Sequence, residues 1–223
     1  MKMSKTNIVV TGLALLMLLL VTVSATYAYF SGNQNLGNGL TVGAETDAPA
    51  SFTAYTADQI ALNVSAEDMA VASTTPAVTD NGKVIALLSS SSEDSVVHCT
   101  YDIELVWDST TQYTVPSMTF NSDYKYELSL KGTQSVSGDT SGHTYTVTTL
   151  NETNLTDFTW SGSAGTVGRK AKVVTGAEIY SKSLTATTAT WNFVLNFYSL
   201  PADQDDITGK SYNAHLTVSN VVC

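Results

Sequence analysis

Apolar and polar residues alternate with period two along several stretches of the chain. Cys99, Tyr101, Ile103, Leu105 and Trp107 form one apolar face, opposed by Thr100, Asp102 and Glu104. This is the pattern of a half-buried antiparallel strand. Tyr124, Tyr126, Leu128 and Leu130 alternate in the same way with Lys125, Glu127, Ser129 and Lys131. So do Trp191, Phe193, Leu195 and Phe197 with Asn192, Val194, Asn196 and Tyr198. Leu216 and Val218 mark another strand near the end. Shorter candidates lie at 51–56, 59–65, 83–88, 145–150, 155–160, 170–175 and 178–181. Helical periodicity is confined to a turn or two around 66–72. Clusters of Ser, Gly, Asn and Asp at 80–82, 89–94, 135–142 and 161–168 predict turns or loops. About ten short strands with turns between them predict an all-β fold, a two-sheet, jelly-roll-like sandwich. No composition break and no fixed-period repeat divides it, so residues 45–223 are expected to form a single β-sandwich domain.

Composition agrees with that class. The chain holds 33 Thr and 25 Ser in 223 residues, and Thr favours strands while the helix formers Lys, Arg and Glu are sparse. Ten Lys and Arg against twenty Asp and Glu give a net charge of -10. An acidic surface disfavours nucleic acid, whose phosphates need basic residues to displace their counterions. Two cysteines cannot form a zinc site of four thiolates or a disulfide-dense scaffold.

The first thirty residues change the picture. Lys2 and Lys5 precede a run at 8–23 that is apolar except for two Thr and one Gly, and no charge follows Lys5 until Glu45. A basic start, such a run and small residues after it describe a secretory signal peptide. Thr26 and Ala28 supply small residues at -3 and -1, which predicts cleavage between Ala28 and Tyr29, with Ala25 as a second site. Removing 1–28 takes away Lys2 and Lys5 and leaves eight basic residues against twenty acidic ones, or -12. The mature chain is then secreted, acidic and sensitive to salt and divalent cations in its self-association. The alternative is a retained apolar helix that anchors the protein at the cell surface.

Candidate chemistry is thin. The chain has no HExxH, P-loop, GxSxG or CxxC motif. His98, His143 and His215 are its only histidines, and their spacing matches no zinc-ligand pattern. Asp203, Asp205 and Asp206 form an acidic loop with oxygen ligands for calcium, but Ile207 and Thr208 stand where a third ligand and a turn glycine should be. No catalytic residue and no metal or cofactor is therefore assigned, with calcium at that loop as the one candidate. Cys99 and Cys223 are either joined in a structural disulfide, as an exported protein permits, or free thiols. Parity counts against the bond, since Cys99 lies on its strand's apolar face and Cys223 is out of step with Leu216 and Val218. A bulge or a frayed end would remove the objection.

Residues 25–32 (ATYAYFSG), followed by Leu40, Thr41, Val42 and Gly43, resemble the leader junction of SipW-dependent exported proteins. In type the chain is similar to the TasA/camelysin family of Gram-positive biofilm matrix proteins. The resemblance covers residues 25–43, about a tenth of the chain. It implies a jelly-roll domain exported through a SipW-like signal peptidase and assembled into extracellular fibres, with copies of itself and other matrix proteins as partners. In such fibres the segment freed by cleavage is a donor strand that completes the next subunit's sheet. Residues 29–44 suit that role. They are uncharged, carry Phe30, Leu36, Leu40 and Val42 to fill pockets, and contain Gly and Asn that discourage independent folding. The expectation is that this ribbon finds no partner within its own molecule. The resemblance also raises a second activity, that of a secreted metallopeptidase, although no zinc-binding helix is present in the sequence.

Overall fold

Among the described residues the strands form two antiparallel sheets packed face to face. The computed structural model describes residues 50–91, 93, 95–109, 120–182 and 184–223, together with the backbone of 40–43. The apolar run at 8–23, the Ala28/Tyr29 junction, Phe30 and Leu36 lie outside the described residues. Leu40–Cys223 forms one compact unit. The strands are β1 (Leu40–Gly43), β2 (Ala50–Asp58), β3 (Ile60–Asn63), β4 (Val78–Ser90), β5 (Val97–Trp107) and β6 (Leu128–Ser137). They continue with β7 (Thr149–Asn154), β8 (Trp160–Ser161), β9 (Arg169–Ser181), β10 (Thr187–Phe197) and β11 (Ser211–Val222). One sheet has the order β1-β2-β4-β10-β6-β7 and the other β3-β11-β5-β9-β8.

Alternation places the core between the sheets. Trp191, Phe193, Leu195 and Phe197 of β10 face Cys99, Tyr101, Ile103 and Leu105 of β5, and all eight are inaccessible to solvent. The Tyr101 hydroxyl is buried with them and accepts Trp191 Nε1 and Gln134 Nε2, each at 3.3 Å. Burial pushes this phenol's pKa up to about 12, since its charged form has no water there. Gln59 alone separates β2 from β3, so the chain crosses from one sheet to the other at a sharp corner.

Several sequence expectations need correction. Asp80, Asn81 and Gly82, read as a turn, lie inside β4 and pair with Leu195, Val194 and Phe193 of β10. Their turn-like chemistry serves other ends. Asp80 Oδ2 accepts the Ala61 amide, and Gly82 is glycine because a Cβ there would stand 2.8 Å from Leu216 Cδ1 of the opposite sheet. The strand expected from Tyr124 begins at Leu128. Its polar residues Glu127 and Ser129 are buried, held by hydrogen bonds with Gln204 and with Glu152 of β7. The segments at 170–175 and 178–181 are one strand, β9, bulged at Gly176, whose φ is 65°. The expected strand at 145–150 is displaced to β7, and that at 155–160 becomes a 3-10 turn, Leu155–Asp157, followed by the two-residue β8. The helical turn near 66–72 is a single 3-10 turn, Glu67–Met69.

Candidate functional site

The outer edge of β2 is where the expected donor segment meets the sandwich. Leu40–Gly43 pairs antiparallel with residues 51–54, in the register Leu40↔Ala54, Thr41↔Thr53, Val42↔Phe52 and Gly43↔Ser51. The expectation that the ribbon finds no partner in its own molecule is therefore not met by its last residues, which form strand β1 of the chain's own sheet. The register is informative nonetheless. Leu40 and Val42 stand opposite Ala54 and Phe52, the two residues of β2 that are buried. Among the described residues, no strand pairs with 55–58 on that side. Thr56 there donates its hydroxyl to the Leu216 carbonyl across the corner.

Cys99 and Cys223 are joined in a disulfide that closes a span of 124 residues. A bulge between Ser219 and Val222 answers the parity objection. Asn220 takes a φ of 50°, and the end of β11 changes step against β5. Asp102 of β5 explains why the bulge sits there. Its Oδ2 accepts Asn220 Nδ2 at 2.7 Å and pairs with Lys172 Nζ at 2.6 Å, while its Oδ1 accepts the Gly176 amide at 2.9 Å. One buried carboxylate on the middle strand thus ties together the bulges of both neighbours, β9 and β11. Burial alone would raise its pKa, but the hydrogen bonds from Asn220, Lys172 and Gly176 outweigh that and hold it below the usual carboxylate value. Sequence reading placed Asp102 on a solvated face and missed this. Gly176 and Asn220 were the only signals, and neither points at an acid seventy or more positions away.

The three histidines do not converge. His98 and His143 both stack on Tyr180, with ring centroids 4.2 and 3.6 Å away. Glu178 serves both, its Oε1 lying 3.8 Å from His98 Nε2 and its Oε2 3.7 Å from His143 Nε2. Burial lowers the His98 pKa, Glu178 pulls against that, and His143 adds to it. His215 sits elsewhere. It registers with Val106, eight residues along β5 from His98, so about 27 Å away at the rise of a strand. Its Nδ1 lies 2.6 Å from Asp108 Oδ2. A zinc site built from all three is thereby ruled out by position.

Asp203, Asp205 and Asp206 follow Pro201 on one loop. Asp203 Oδ1 accepts the Asp205 amide at 3.0 Å, and Asp205–Ile207 is a 3-10 turn. Among the described residues, no group of three or more His, Cys, Asp or Glu side chains converges on a metal-sized space. The residue that matters in this loop is the one between the acids. Gln204 is buried, accepts the Leu200 amide at 2.7 Å, and donates to Glu127 Oε1 at 2.7 Å and to the Tyr198 carbonyl at 3.1 Å. Comparison with protein-family models, with curated proteins and with solved structures finds no match to this chain.

Proposed function

We propose that this protein is an extracellular structural subunit, a jelly-roll domain that assembles into biofilm-matrix or surface fibres by donating its N-terminal strand to a neighbour. The register of β1 carries the reading, because Leu40 and Val42 take the positions beside the buried Ala54 and Phe52. A sheet edge that ends on buried apolar residues needs a covering strand. The strand that covers it here is four residues long and N-terminal. Displacing so short a strand breaks only a few hydrogen bonds, each worth about 1 kcal/mol net. The same bonds re-form on the β2 of another copy, so exchange is close to neutral per contact and concentration drives it. The uncharged residues 29–39 lengthen the segment available for donation, and the resemblance at 25–43 adds the same expectation. Removal of the leader frees this end, which couples export by a SipW-like peptidase to assembly. The partners are further copies of the chain and other matrix proteins at the cell surface. No catalysis is required of it.

Cysteines at the register pair Thr41 and Thr53 test the exchange directly. Subunits carrying Thr41→Cys, mixed with subunits carrying Thr53→Cys and allowed to assemble, should form covalent dimers under oxidation. A chain carrying both changes should give covalent ladders in fibres. Crosslinks confined to single chains, in fibres of normal abundance, would overturn donation. So would unchanged fibres from a chain that begins at Glu45.

A further inference from the structure

The outer face of the six-stranded sheet is not bare at one end. Ser129 of β6 and Asn196 of β10 are register partners whose parity is opposite to that of the core residues Leu130 and Leu195, so they face outward, yet both are buried. Backbone bonds from the Ser73 amide to the Ser199 carbonyl, from Ala77 to Phe197 and from Tyr198 to Glu127 bind the flanking chain to this end. At this end lies a cavity of about 310 Å³, walled by residues 73–74 and 122–126 of the flanking chain and by Glu152 and Tyr198, within the size range of small-molecule sites.

Its lining is unusual for a crevice left by imperfect packing. Tyr124, Tyr126 and Tyr198 supply aromatic surface, Asp123 and Glu152 carboxylates, and Lys125 a cation, with three hydroxyl residues completing the wall. Among the described residues no aliphatic side chain contributes. Glu152 is held in place. Its Oε1 accepts the Ser129 hydroxyl at 2.7 Å, Asn196 Nδ2 at 2.6 Å and the Tyr198 hydroxyl at 2.7 Å. Burial would raise its pKa, but these three bonds and the nearby Lys131 bring it below the ordinary value, so it stays an acceptor at neutral pH. Tyr126 packs on Tyr198 with centroids 5.8 Å apart and planes tilted by 44°, which fixes the aromatic wall as well. Polar groups already oriented lose little freedom when a ligand arrives.

We propose that this cavity binds a saccharide unit. A sugar ring presents hydroxyl donors to Glu152 and Asp123, hydroxyl acceptors to Lys125 and the lining hydroxyls, and a C–H face to a tyrosine ring. An apolar ligand would leave the carboxylates of Glu152 and Asp123 and the Lys125 cation without partners. A strongly charged one would meet both signs of charge in the same small space. The site is remote in sequence from β1 and does not depend on strand donation; the two readings fail separately.

The test is saturation-transfer NMR on the full exported protein, using the methyl glycosides of glucose, galactose, mannose and N-acetylglucosamine, with methylammonium as the comparison. Transfer to at least one glycoside is expected, with a drop in affinity of about tenfold in Tyr126→Ala and in Glu152→Gln. Tyr124→Ala, which lies outside the Glu152 hydrogen-bond network, should weaken binding while leaving the thermal midpoint in place, and so separates ligand contact from folding. No transfer to any of the four glycosides would overturn the proposal. Binding that survives all three substitutions, or binding of methylammonium alone, would overturn it too.

Discussion

The ring of Phe193 on β10 lies over Gly132, its register partner on β6, so closely that a Cβ on Gly132 would stand 2.7 Å from Phe193 Cδ1. Its partner on the other side is also a glycine, Gly82 of β4. There a Cβ would meet Leu216 Cδ1 at 2.8 Å and Ile60 Cγ1 at 2.9 Å. The two glycines therefore serve different neighbours. Gly132 leaves room within the sheet for a large ring, and Gly82 lets the opposite sheet close in. A glycine in a strand interior weakens it, and an aromatic ring across the strand restores the lost packing.

Gly132→Ala should therefore destabilise the protein by about 1–3 kcal/mol, the usual cost of overpacking a core. Urea unfolding should show a lowered midpoint with an unchanged slope. Adding Phe193→Leu should recover part of the loss, because a smaller side chain vacates the space the new methyl needs. Strictly additive losses in the double variant would show that the ring does not rest on the glycine.

Gln204 gives a second, independent prediction. Replacing it with Ala removes three hydrogen bonds in a buried setting, one of them to the Glu127 side chain. Taking one partner from a buried polar group costs more than the bond was worth, on the order of 1–3 kcal/mol. Ala substitution at Asp205 or Asp206, which face solvent on the same loop, should change stability by less than about 0.5 kcal/mol. Equal effects at all three positions would mean that the loop is not anchored through Gln204.

Much of the sandwich was legible in the sequence because its central strands are amphipathic with a clean period of two. The runs ending at Trp107 and Phe197 each show five or four apolar residues in strict alternation, and they became β5 and β10. Legibility failed where both faces of a strand are covered. Glu127 and Ser129 are buried although their polarity suggests water, and they bond to Gln204 and Glu152, so polarity there reports hydrogen bonding and not exposure. It failed again at 80–82, where Asp-Asn-Gly is a turn sequence by local propensity and a strand by tertiary demand. The Asp102 junction was not readable at all, since it depends on two bulges whose positions are set by the pairing of three strands. The register of β1 is likewise a property of the edge it covers and not of its four residues.

Acid titration should expose that junction. Asp102 has a folded pKa below its ordinary value, so the folded state binds its proton less readily than the unfolded chain does. Its contribution is complete above the unfolded pKa, about 4, and is lost as pH falls below that through the folded value. Asp102→Asn should cost about 2 kcal/mol at neutral pH. The gap between the two proteins should stay constant from neutral pH down to about 5, then narrow below about 4. A gap independent of pH across that acid range would mean that the carboxylate charge is not what holds the bulges of β9 and β11.

The disulfide acts on the same region as the Asp102 junction. It fastens Cys223 to β5, the middle strand of its sheet, just beyond the point where β11 steps out of register at Asn220. The bulged end keeps only one pairing beyond the step, Val222↔Thr100, and without a covalent tie it would fray. A crosslink that closes more than a hundred residues also removes much freedom from the unfolded chain, which is worth roughly 2–4 kcal/mol. Replacing Cys99 and Cys223 together with Ala should lower stability by about that amount. It should also speed amide exchange at Val221 and Val222 while leaving the exchange of Ile103 and Leu105 unchanged under native conditions. Alkylation supplies the check on the premise. Denatured, unreduced protein should take up no iodoacetamide at either cysteine, and uptake at both would remove the tie from this account of β11.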